Sequence, residues 1–350
     1  MKRIGVWLLL AAMATALLAG CTAPEAPAAQ TENRGKSYFA YFDTVSYVYS
    51  YAGDSAEQFD ERSAEVSDIL GEYHRLFDIY HEYSGVNNLC TLNLNAGGEA
   101  IEVDPKLIDF LLYARELYEA TDGEMNVMMG AVLSIWHDLR DAAADDPKAA
   151  RLPTEEELAE AAQHTDFSLL EIDAENSAVR ISDPAASIDV GALGKGYATE
   201  MAARALEAEG VTAYVLNVGG NIRIIGTKPD GTGWVTGIKD PQDTGEFAIK
   251  LRLADTSCVT SGVYERYYTV NGVRYHHIID KDTLFPAQYF SSLTVITKDS
   301  ALADALSTAL FCMTYEDGSA LAEGLGVDAL WIFPDGEIKH TPGIEKLIEN

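Results

Sequence analysis

The chain has 350 residues, 47% of them hydrophobic and 23% charged, which is enough for one large domain or two modest ones with a hydrophobic core. Its 55 acidic and 25 basic residues give a formal net charge of −30 at pH 7. Because such a surface repels polyanions, the charge argues against binding to nucleic acid or to anionic membrane surfaces.

The N-terminus has the features of an export signal. Lys2 and Arg3 precede the apolar run VWLLLAAMATALLAG, which is short for a membrane span. The run ends in LAGC at residues 18–21, which resembles the lipobox of bacterial lipoproteins. We interpret residues 1–20 as a lipoprotein signal peptide and Cys21 as the lipidation site; the alternative is an uncleaved N-terminal anchor. The Ala- and Pro-rich residues 21–36 are then a flexible tether, and 37–350 are the folded domain.

The other cysteines do not form a recognisable framework. Cys90, Cys258 and Cys312 lack metal-ligand spacing, and their odd number argues against a set of disulfides. Cys258 and Cys312 lie in apolar stretches, so we expect them to be buried thiols.

The first half of the domain is predicted to contain one strand and several helices. Aromatic and β-branched residues predict a strand over 38–51, and apolar residues at intervals of three and four predict a helix over 55–83. Residues 84–100 are predicted to be a loop, and Asp104-Pro105 opens a helix that runs to Ala120. A turn over 121–123 leads into an apolar stretch, and the acidic residues 140–166 are predicted to form a surface helix with its connections.

The second half is richer in strands. Short strands are predicted over 168–172, 177–182 and 186–190, followed by a helix over 194–209 that ends at Gly210. Further strands are predicted over 213–218, 221–226, 234–239, 246–253, 263–270, 273–279 and 292–297, then a helix over 299–313, a short helix and a strand over 329–333. Strands in hairpin-like succession with a few long helices indicate the α+β class.

A glycine-rich turn, SIDVGALGKGYATE at residues 187–200, is the first candidate for chemistry. It fails the P-loop pattern because Gly191 and Gly194 enclose only two residues and Gly196, not Ser or Thr, follows Lys195. Lys195 still lies at a predicted helix N-terminus, which favours anions, although a cation there opposes the helix dipole. The stretch alone leaves phosphate binding and a structural turn both open.

A second candidate lies on the apolar helix SALADALSTALFCM. Asp304 and Thr308 are four residues apart and share one face. A buried carboxylate is unfavourable unless it is paired or binds a metal, and carboxylate and hydroxyl oxygens suit a hard cation such as Mg²⁺. The alternative is a solvated Asp-Thr pair on an exposed stripe.

Polar residues also gather in RYHHIIDKDTLFP, residues 274–286. A His near an Asp suits a general base with its orienting carboxylate, although polar residues are common at strand exits. Neither an HExxH motif nor a Cys/His set indicates zinc. The Gly219-Gly220 pair between two apolar runs is interpreted as a tight turn or a bulge.

These stretches together, in this order, resemble the FAD:protein FMN transferases, the ApbE family. The resemblance covers about residues 38–340, and five motifs in order make it specific. The matching stretches are DVGALGKGY from Asp189, NVGGN from Asn217, SGVYER from Ser261 to Arg266, HIIDKDTLFP from His277 and ADALSTA from Ala303, with Thr121-Asp122-Gly123 and Trp136 upstream.

The resemblance implies a fold and an activity. The fold would be α+β, with mixed, mainly antiparallel sheets flanked by helices, in the T-fold-related architecture of the family. The activity would be Mg²⁺-dependent transfer of FMN from FAD to a Thr (or Ser) hydroxyl of an acceptor protein, with release of AMP. The acceptor would belong to an extracytoplasmic or membrane redox system, and the enzyme would be held by its lipid on the extracytoplasmic side, in the periplasm or at the cell surface.

Roles for individual residues also follow from the resemblance. Asp304, Thr308 and the Ala192 carbonyl would ligate Mg²⁺, and His277 would deprotonate the acceptor hydroxyl, oriented by Asp280. The residues expected to bind FAD are Phe42, Tyr80, Thr121, Asp122, Gly123, Asp189, Lys195 and Ile278.

Some positions depart from the family pattern, and other functions stay open. Lys281 and Leu284 stand where the family usually has Pro and Gly, Glu124-Met125-Asn126 differs from the usual continuation, and Phe42-Asp43-Thr44 replaces a frequent Met-Gly-Thr. These departures concern the flavin contacts more than the metal contacts. The alternatives are a Mg²⁺-dependent FAD pyrophosphatase giving FMN and AMP, and a flavin-binding lipoprotein without catalysis.

Overall fold

An eight-stranded antiparallel sheet forms the centre of the fold in the computed structural model, which describes residues 33–242 and 244–349. The strands are β1 Arg34–Tyr41, β2 Thr44–Ser50, β3 Ile101–Glu102, β4 Leu170–Asp173, β5 Ala178–Ile181, β6 Tyr214–Val218, β7 Asn221–Ile225, β8 Trp234–Lys239, β9 Phe247–Leu253, β10 Ser257–Gly262, β11 Tyr267–Val270, β12 Val273–His276, β13 Ser292–Thr297, β14 Asp328–Ile332 and β15 Ile338–His340. The large sheet has the order β1-β2-β6-β7-β10-β13-β14-β15, and smaller antiparallel sheets are β3-β5-β4, β8-β9 and β11-β12.

The helices pack against the large sheet and against one another. They are α1 Ala56–Phe77, α2 Leu89–Leu94, α3 Pro105–Ala120, α4 Gly130–Asp145, α5 Glu155–Ala161, α6 Gly194–Ala208, α7 Ser300–Ala309 and α8 Tyr315–Gly324, with short 3-10 helices at Val127–Met129, Pro147–Ala149, Ala162–His164, Phe167–Leu169, Leu310–Cys312 and Pro342–Lys346. Helix α6 packs on α1, α7 and β7, and α7 packs on β10 and β13. The candidate site residues of α6 and α7 therefore face one another across this helix pair.

Apolar residues cover both faces of the large sheet. In β13, Val295 belongs to the cluster that includes Leu306 of α7, whereas the next residue, Ile296, packs with Trp234 of β8 and Leu251 of β9. Adjacent strand residues point to opposite faces, so the β8-β9 ribbon covers the face opposite the helices.

The predicted α+β class is confirmed, as are most of the predicted elements. Asp104 caps α3, with its side chain accepting the Lys106 N–H. Gly210, with φ of 75°, ends α6, and the N–H groups of Gly210 and Val211 bond back to the carbonyls of Glu207 and Leu206. Cys258 and Cys312 are buried free thiols, as expected.

Three local predictions were wrong. The single strand over 38–51 is the β1-β2 hairpin, which turns at Phe42 and Asp43 with φ of 54° and 51°. Residues 186–190 form no strand, because the Asn93 side chain bonds both the N–H (2.7 Å) and the carbonyl (2.9 Å) of Ile188. The predicted loop over 84–100 contains α2, whose capping box joins Asn88 and Thr91.

Other differences concern boundaries and one missed strand. Strand β10 was not predicted, α1 ends at Phe77 rather than at 83, and β11 begins at Tyr267 rather than at 263. Strand β1 begins at Arg34, inside the range 21–36 interpreted as a tether. The signal peptide, Cys21 and the tether up to residue 32 lie outside the described residues. Among the described residues, none of the helices combines the length and apolar character needed to cross a membrane.

Candidate active site

The glycine-rich turn leads into α6 and leaves one carbonyl free. Leu193 and Gly194 both donate to the Val190 carbonyl, and Tyr197 donates to that of Leu193. The N–H of Gly196 would ordinarily bond to the Ala192 carbonyl at i−4, but it donates to Asp304 Oδ2 at 2.7 Å. Within the described residues, no backbone N–H therefore occupies the Ala192 carbonyl oxygen.

Asp304 is buried where α6 and α7 touch. Its exposed fraction is 5%, and burial raises the pKa of the carboxyl, whereas the Lys195 charge, the Gly196 N–H and the Asn221 side chain act in the opposite direction. A Cβ on Gly196 would lie 2.3 Å from the Asp304 Cβ and 2.4 Å from the Ser300 carbonyl oxygen. Only glycine at 196 permits this approach.

The surroundings of Asp304 suit a hard cation. Thr308 lies one turn further along α7, and its hydroxyl has no hydrogen-bond partner in the described ranges. The buried Oδ1 of Asn221 also lacks a partner there. One carboxylate together with carbonyl and hydroxyl oxygens is the ligand chemistry that Mg²⁺ takes, and the predicted metal residues Ala192, Asp304 and Thr308 fit it.

Asp189 and Lys195 stabilise the same turn. Asp189 Oδ1 accepts the Gly191 N–H at 2.8 Å, and Lys195 Nζ donates to the Gly191 carbonyl at 3.3 Å. The charge of Lys195 reaches both Asp304 and His277. The turn thus places the Lys195 side chain near the buried carboxylate of Asp304.

His277 lies just after β12 and is held by a main-chain carbonyl. The Arg266 carbonyl accepts the backbone N–H of His277 at 3.1 Å and lies 3.2 Å from Nδ1. Since a carbonyl only accepts, Nδ1 carries the proton and Nε2 has a free lone pair. Burial and the charge of Arg266, followed by those of His276 and Lys195, lower the pKa of His277 to about 3. The imidazole is therefore neutral.

The expectation that Asp280 orients His277 is wrong. Asp280 Oδ1 accepts the N–H groups of Asp282 (2.8 Å) and Thr283 (2.9 Å) and so shapes its own loop. The adjacent His276 is also structural, because Nε2 bonds the Ala287 carbonyl and Nδ1 accepts the Ile278 N–H. His277 is oriented instead by the main-chain carbonyl of Arg266.

His137 belongs to the same site and was not singled out from the sequence. Its Nδ1 lies 3.9 Å from Asp189 Oδ2 and 3.5 Å from the Tyr80 hydroxyl. Burial lowers the pKa of His137; Arg140 and Arg266 lower it further, and Asp189 opposes them. The structure thus joins the predicted residues Tyr80 and Asp189 through a third residue, whose only sequence signal was its place next to Trp136.

The Thr121–Gly123 turn lies beside an open pocket. The Thr121 hydroxyl donates to the Leu117 carbonyl and accepts the Met125 N–H, so it is committed to the fold. Asp122 and Gly123, with φ of 51° and 81°, line a pocket of about 440 Å³ together with Lys281. Exposed groups of this turn are available to a ligand, whereas the Thr121 side chain is not.

Phe42 and Ile278 are placed by packing. The Phe42 ring meets His74 edge-on, with centroids 5.5 Å apart, at the β1-β2 turn. The Ile278 side chain is buried in the cluster beneath α7, and its N–H and carbonyl bond to His276 and Ala287. Neither arrangement by itself presents a flavin contact.

Two departures from the family pattern compensate each other. Lys281 Nζ lies 3.2 Å from Glu124 Oε1, so the unusual residue after β12 pairs with the unusual residue after α3.

Leu284 has φ of 61°, a conformation that favours the glycine usual at this position. Its carbonyl accepts the Trp136 indole N–H at 3.0 Å, which ties this loop to α4.

Comparison with known proteins identifies the family of this chain. The ApbE family model matches residues 43–331. The FAD:protein FMN transferase of Treponema pallidum is 33% identical over 317 residues, covering 86% of this chain and 85% of the relative, and that of Vibrio cholerae is 28% identical over 326 residues, covering 93% and 92%. The crystal structure of the ApbE protein from Thermotoga maritima superposes with a TM-score of 0.80 at 28% identity, covering 91% of this chain and 100% of that one. The chain belongs to the ApbE family.

Proposed function

We propose that this protein is an FAD:protein FMN transferase that uses Mg²⁺ and moves FMN from FAD to a Thr (or Ser) hydroxyl of an acceptor protein, releasing AMP. Relatives of that name support the flavin chemistry. The single observation that carries the proposal is the contact between α6 and α7. There Gly196 donates to the buried Asp304 and leaves the Ala192 carbonyl free, close to Lys195.

The residues divide into a metal-binding part and a proton-accepting part. Asp304, Thr308 and the Ala192 carbonyl would hold Mg²⁺, which when bound supplies charge neutralisation for a pyrophosphate. His277 Nε2, with its lone pair free, accepts the proton of the acceptor hydroxyl. The hydroxyl oxygen forms a bond to the FMN phosphorus, the bond from that phosphorus to the bridging oxygen breaks, and AMP leaves with the electron pair.

Cations gather at the site although the chain as a whole is strongly acidic. Lys195, Arg266 and Arg140 all act electrostatically on His277 or His137. The pyrophosphate of FAD carries two negative charges, and local cations offset the repulsion from a chain of net charge −30. The site is thus suited to an anionic dinucleotide.

Export and membrane attachment are part of the proposal. A lipid on Cys21 would hold the enzyme on the extracytoplasmic side, where an acceptor of a membrane or extracytoplasmic redox system is within reach; the lipobox-like LAGC supports it. Replacing Cys21 with Ala should move the protein from the membrane fraction to the soluble fraction of the cell. If the variant stays in the membrane fraction, the lipid anchor is wrong.

The reaction is tested with the full-length protein in detergent, FAD, Mg²⁺ and a Thr-containing acceptor peptide. We expect AMP release together with a gain in peptide mass equal to one FMN less one water. AMP release with free FMN and no mass gain would indicate a pyrophosphatase. FAD that binds and stays intact would indicate a binding protein.

A further inference from the structure

Arg266 ends the SGVYER motif, and neither metal binding nor proton transfer accounts for it. Its main chain precedes β11 and lies beside the end of β12, where its carbonyl accepts two hydrogen bonds from His277. These bonds fix the Arg266 backbone next to the imidazole proposed as the proton acceptor. The position of Arg266 is therefore fixed by its hydrogen bonds with His277.

The guanidinium of Arg266 has no carboxylate partner in the part of the chain that the structure describes. Within residues 33–242 and 244–349, no hydrogen bond or ion pair engages its side chain, which is exposed. By contrast, Arg223 pairs with Glu200, Glu207 and Asp255. In a chain with 55 acidic residues, an arginine beside His277 that pairs with none of the described carboxylates is available to bind an anion.

The charge of Arg266 acts on three residues of the candidate site. It opposes protonation of His277 and of His137, and it also reaches Tyr80. A cation next to two imidazoles is unfavourable for their protonation unless an anion lies between them. Negative charge is therefore favoured beside the guanidinium and the two imidazoles.

We propose that the Arg266 guanidinium contacts the phosphoryl group that is transferred, on the His277 side, and stabilises its charge in the transition state. This rests on the proposed function. As the acceptor oxygen bonds to phosphorus and the bridging oxygen departs with its electron pair, negative charge spreads over the equatorial oxygens of that group. A bidentate donor beside the attacking oxygen bonds most strongly at that moment.

The experiment compares Arg266→Met and Arg266→Lys with Arg274→Met as a matched control. Arg274 lies on the same β11-β12 ribbon, but its guanidinium stacks on the Tyr267 ring at 4.6 Å. The carbonyl that orients His277 belongs to the backbone and is present in every variant. Loss of activity therefore reports the guanidinium alone, and the melting temperature checks that each variant is folded.

We expect Arg266→Met to lower kcat for AMP release by about 10²–10³-fold while the Kd for FAD changes by only a few-fold. Arg266→Lys should recover part of kcat, and guanidinium ion at non-denaturing concentration should partly rescue Arg266→Met. Arg274→Met should behave like the wild type.

Two results would overturn the inference alone: an unchanged kcat in a folded Arg266→Met, or a loss confined to the Kd for FAD. A wild-type protein that leaves FAD intact would overturn the proposed function and this inference together. Because the wild type is measured in the same series, the two failures are distinguished.

Discussion

At the scale of single residues, Asp304 is a carboxylate whose environment opposes its charge. It is 5% exposed, and the nearest ammonium, that of Lys195, bonds to the Gly191 carbonyl instead. An isolated buried charge is unfavourable by several kcal/mol unless a cation offsets it. The proposed Mg²⁺ would offset this charge, so Asp304 would serve binding rather than stability.

Replacement of Asp304 with Asn tests this explanation. Without Mg²⁺, the melting temperature of Asp304→Asn should equal or exceed that of the wild type, because the buried charge is gone. Mg²⁺ should raise the melting temperature of the wild type but not of the variant, and AMP release by the variant should fall by about 10²-fold or more. A variant that Mg²⁺ still stabilises to the wild-type extent would rule out Asp304 as a ligand.

His277 gives a prediction about pH. Its pKa is lowered to about 3, so the folded protein keeps this imidazole neutral at pH 5, whereas the unfolded chain takes up a proton near pH 6.5. The unfolded state then binds more protons between pH 6.5 and 3, and this residue lowers stability as the pH falls through that window. The ring NMR signals of His277, assigned with His277→Gln, should not titrate between pH 8 and 5. A midpoint near 6.5 would contradict the burial described above.

The sequence motifs identified part of the site, but they did not predict the contacts between segments that are distant in the chain. The Asp304 carboxylate accepts the Gly196 N–H and is influenced by the Lys195 charge, and Thr308 lies one turn further along the same helix. The pairing of His277 with Asp280 failed, since Nδ1 bonds a carbonyl eleven residues away, just before the strand opposite. Which carbonyl lies opposite depends on the register of β11 and β12, and a single sequence does not fix that register.

At the scale of elements, the distance between α6 and α7 depends on Gly196. The N–H of this residue reaches Asp304 only because no side chain separates the two helices. Glu200, one turn along α6, accepts the Ser300 N–H at 3.0 Å and fixes the start of α7. Two bonds a turn apart therefore hold the carboxylate in place.

Replacement of Gly196 with Ala should separate the helices. The added methyl would overlap the Asp304 side chain and the Ser300 carbonyl, at a cost of about 1–3 kcal/mol or more in the free energy of unfolding. Urea unfolding and AMP release should both show the loss. The control is Gly324→Ala at the end of α8, where a Cβ meets nothing within 4 Å. Wild-type stability and turnover in Gly196→Ala would refute the close approach.

Elements with strong local signals were predicted well, and those that depend on remote partners were not. Helix α3 has its Asp-Pro start, and α6 has its terminal Gly210. Residues 186–190 have the composition of a strand, yet the Asn93 side chain, 95 positions away in the chain, takes the place of a neighbouring strand. Strand β10 is short and half polar, and it is identified only by its neighbours β7 and β13.

At the scale of the whole molecule, the excess of acidic residues opposes the compact state. Ion pairs neutralise some of the acidic residues, as the buried Arg223 does for Glu200. The chain nevertheless has 55 acidic residues and only 25 basic ones. Like charges on one folded chain repel one another over about 30 Å at 0.01 M salt and over about 8 Å at 0.15 M. Salt therefore screens a net repulsion more than it weakens buried pairs.

Raising NaCl from about 0.01 M to about 0.15 M should stabilise the protein. If screening contributes about 1 kcal/mol, the melting temperature of a chain of this length rises by about 1–2 °C. Scanning calorimetry without divalent cations measures this, because Mg²⁺ bound at Asp304 would add a stabilisation of its own. An uncharged osmolyte at matched osmolarity is the control and should give a smaller rise at these concentrations. A melting temperature that falls with NaCl would show that surface ion pairs stabilise the fold more than the net charge of −30 destabilises it.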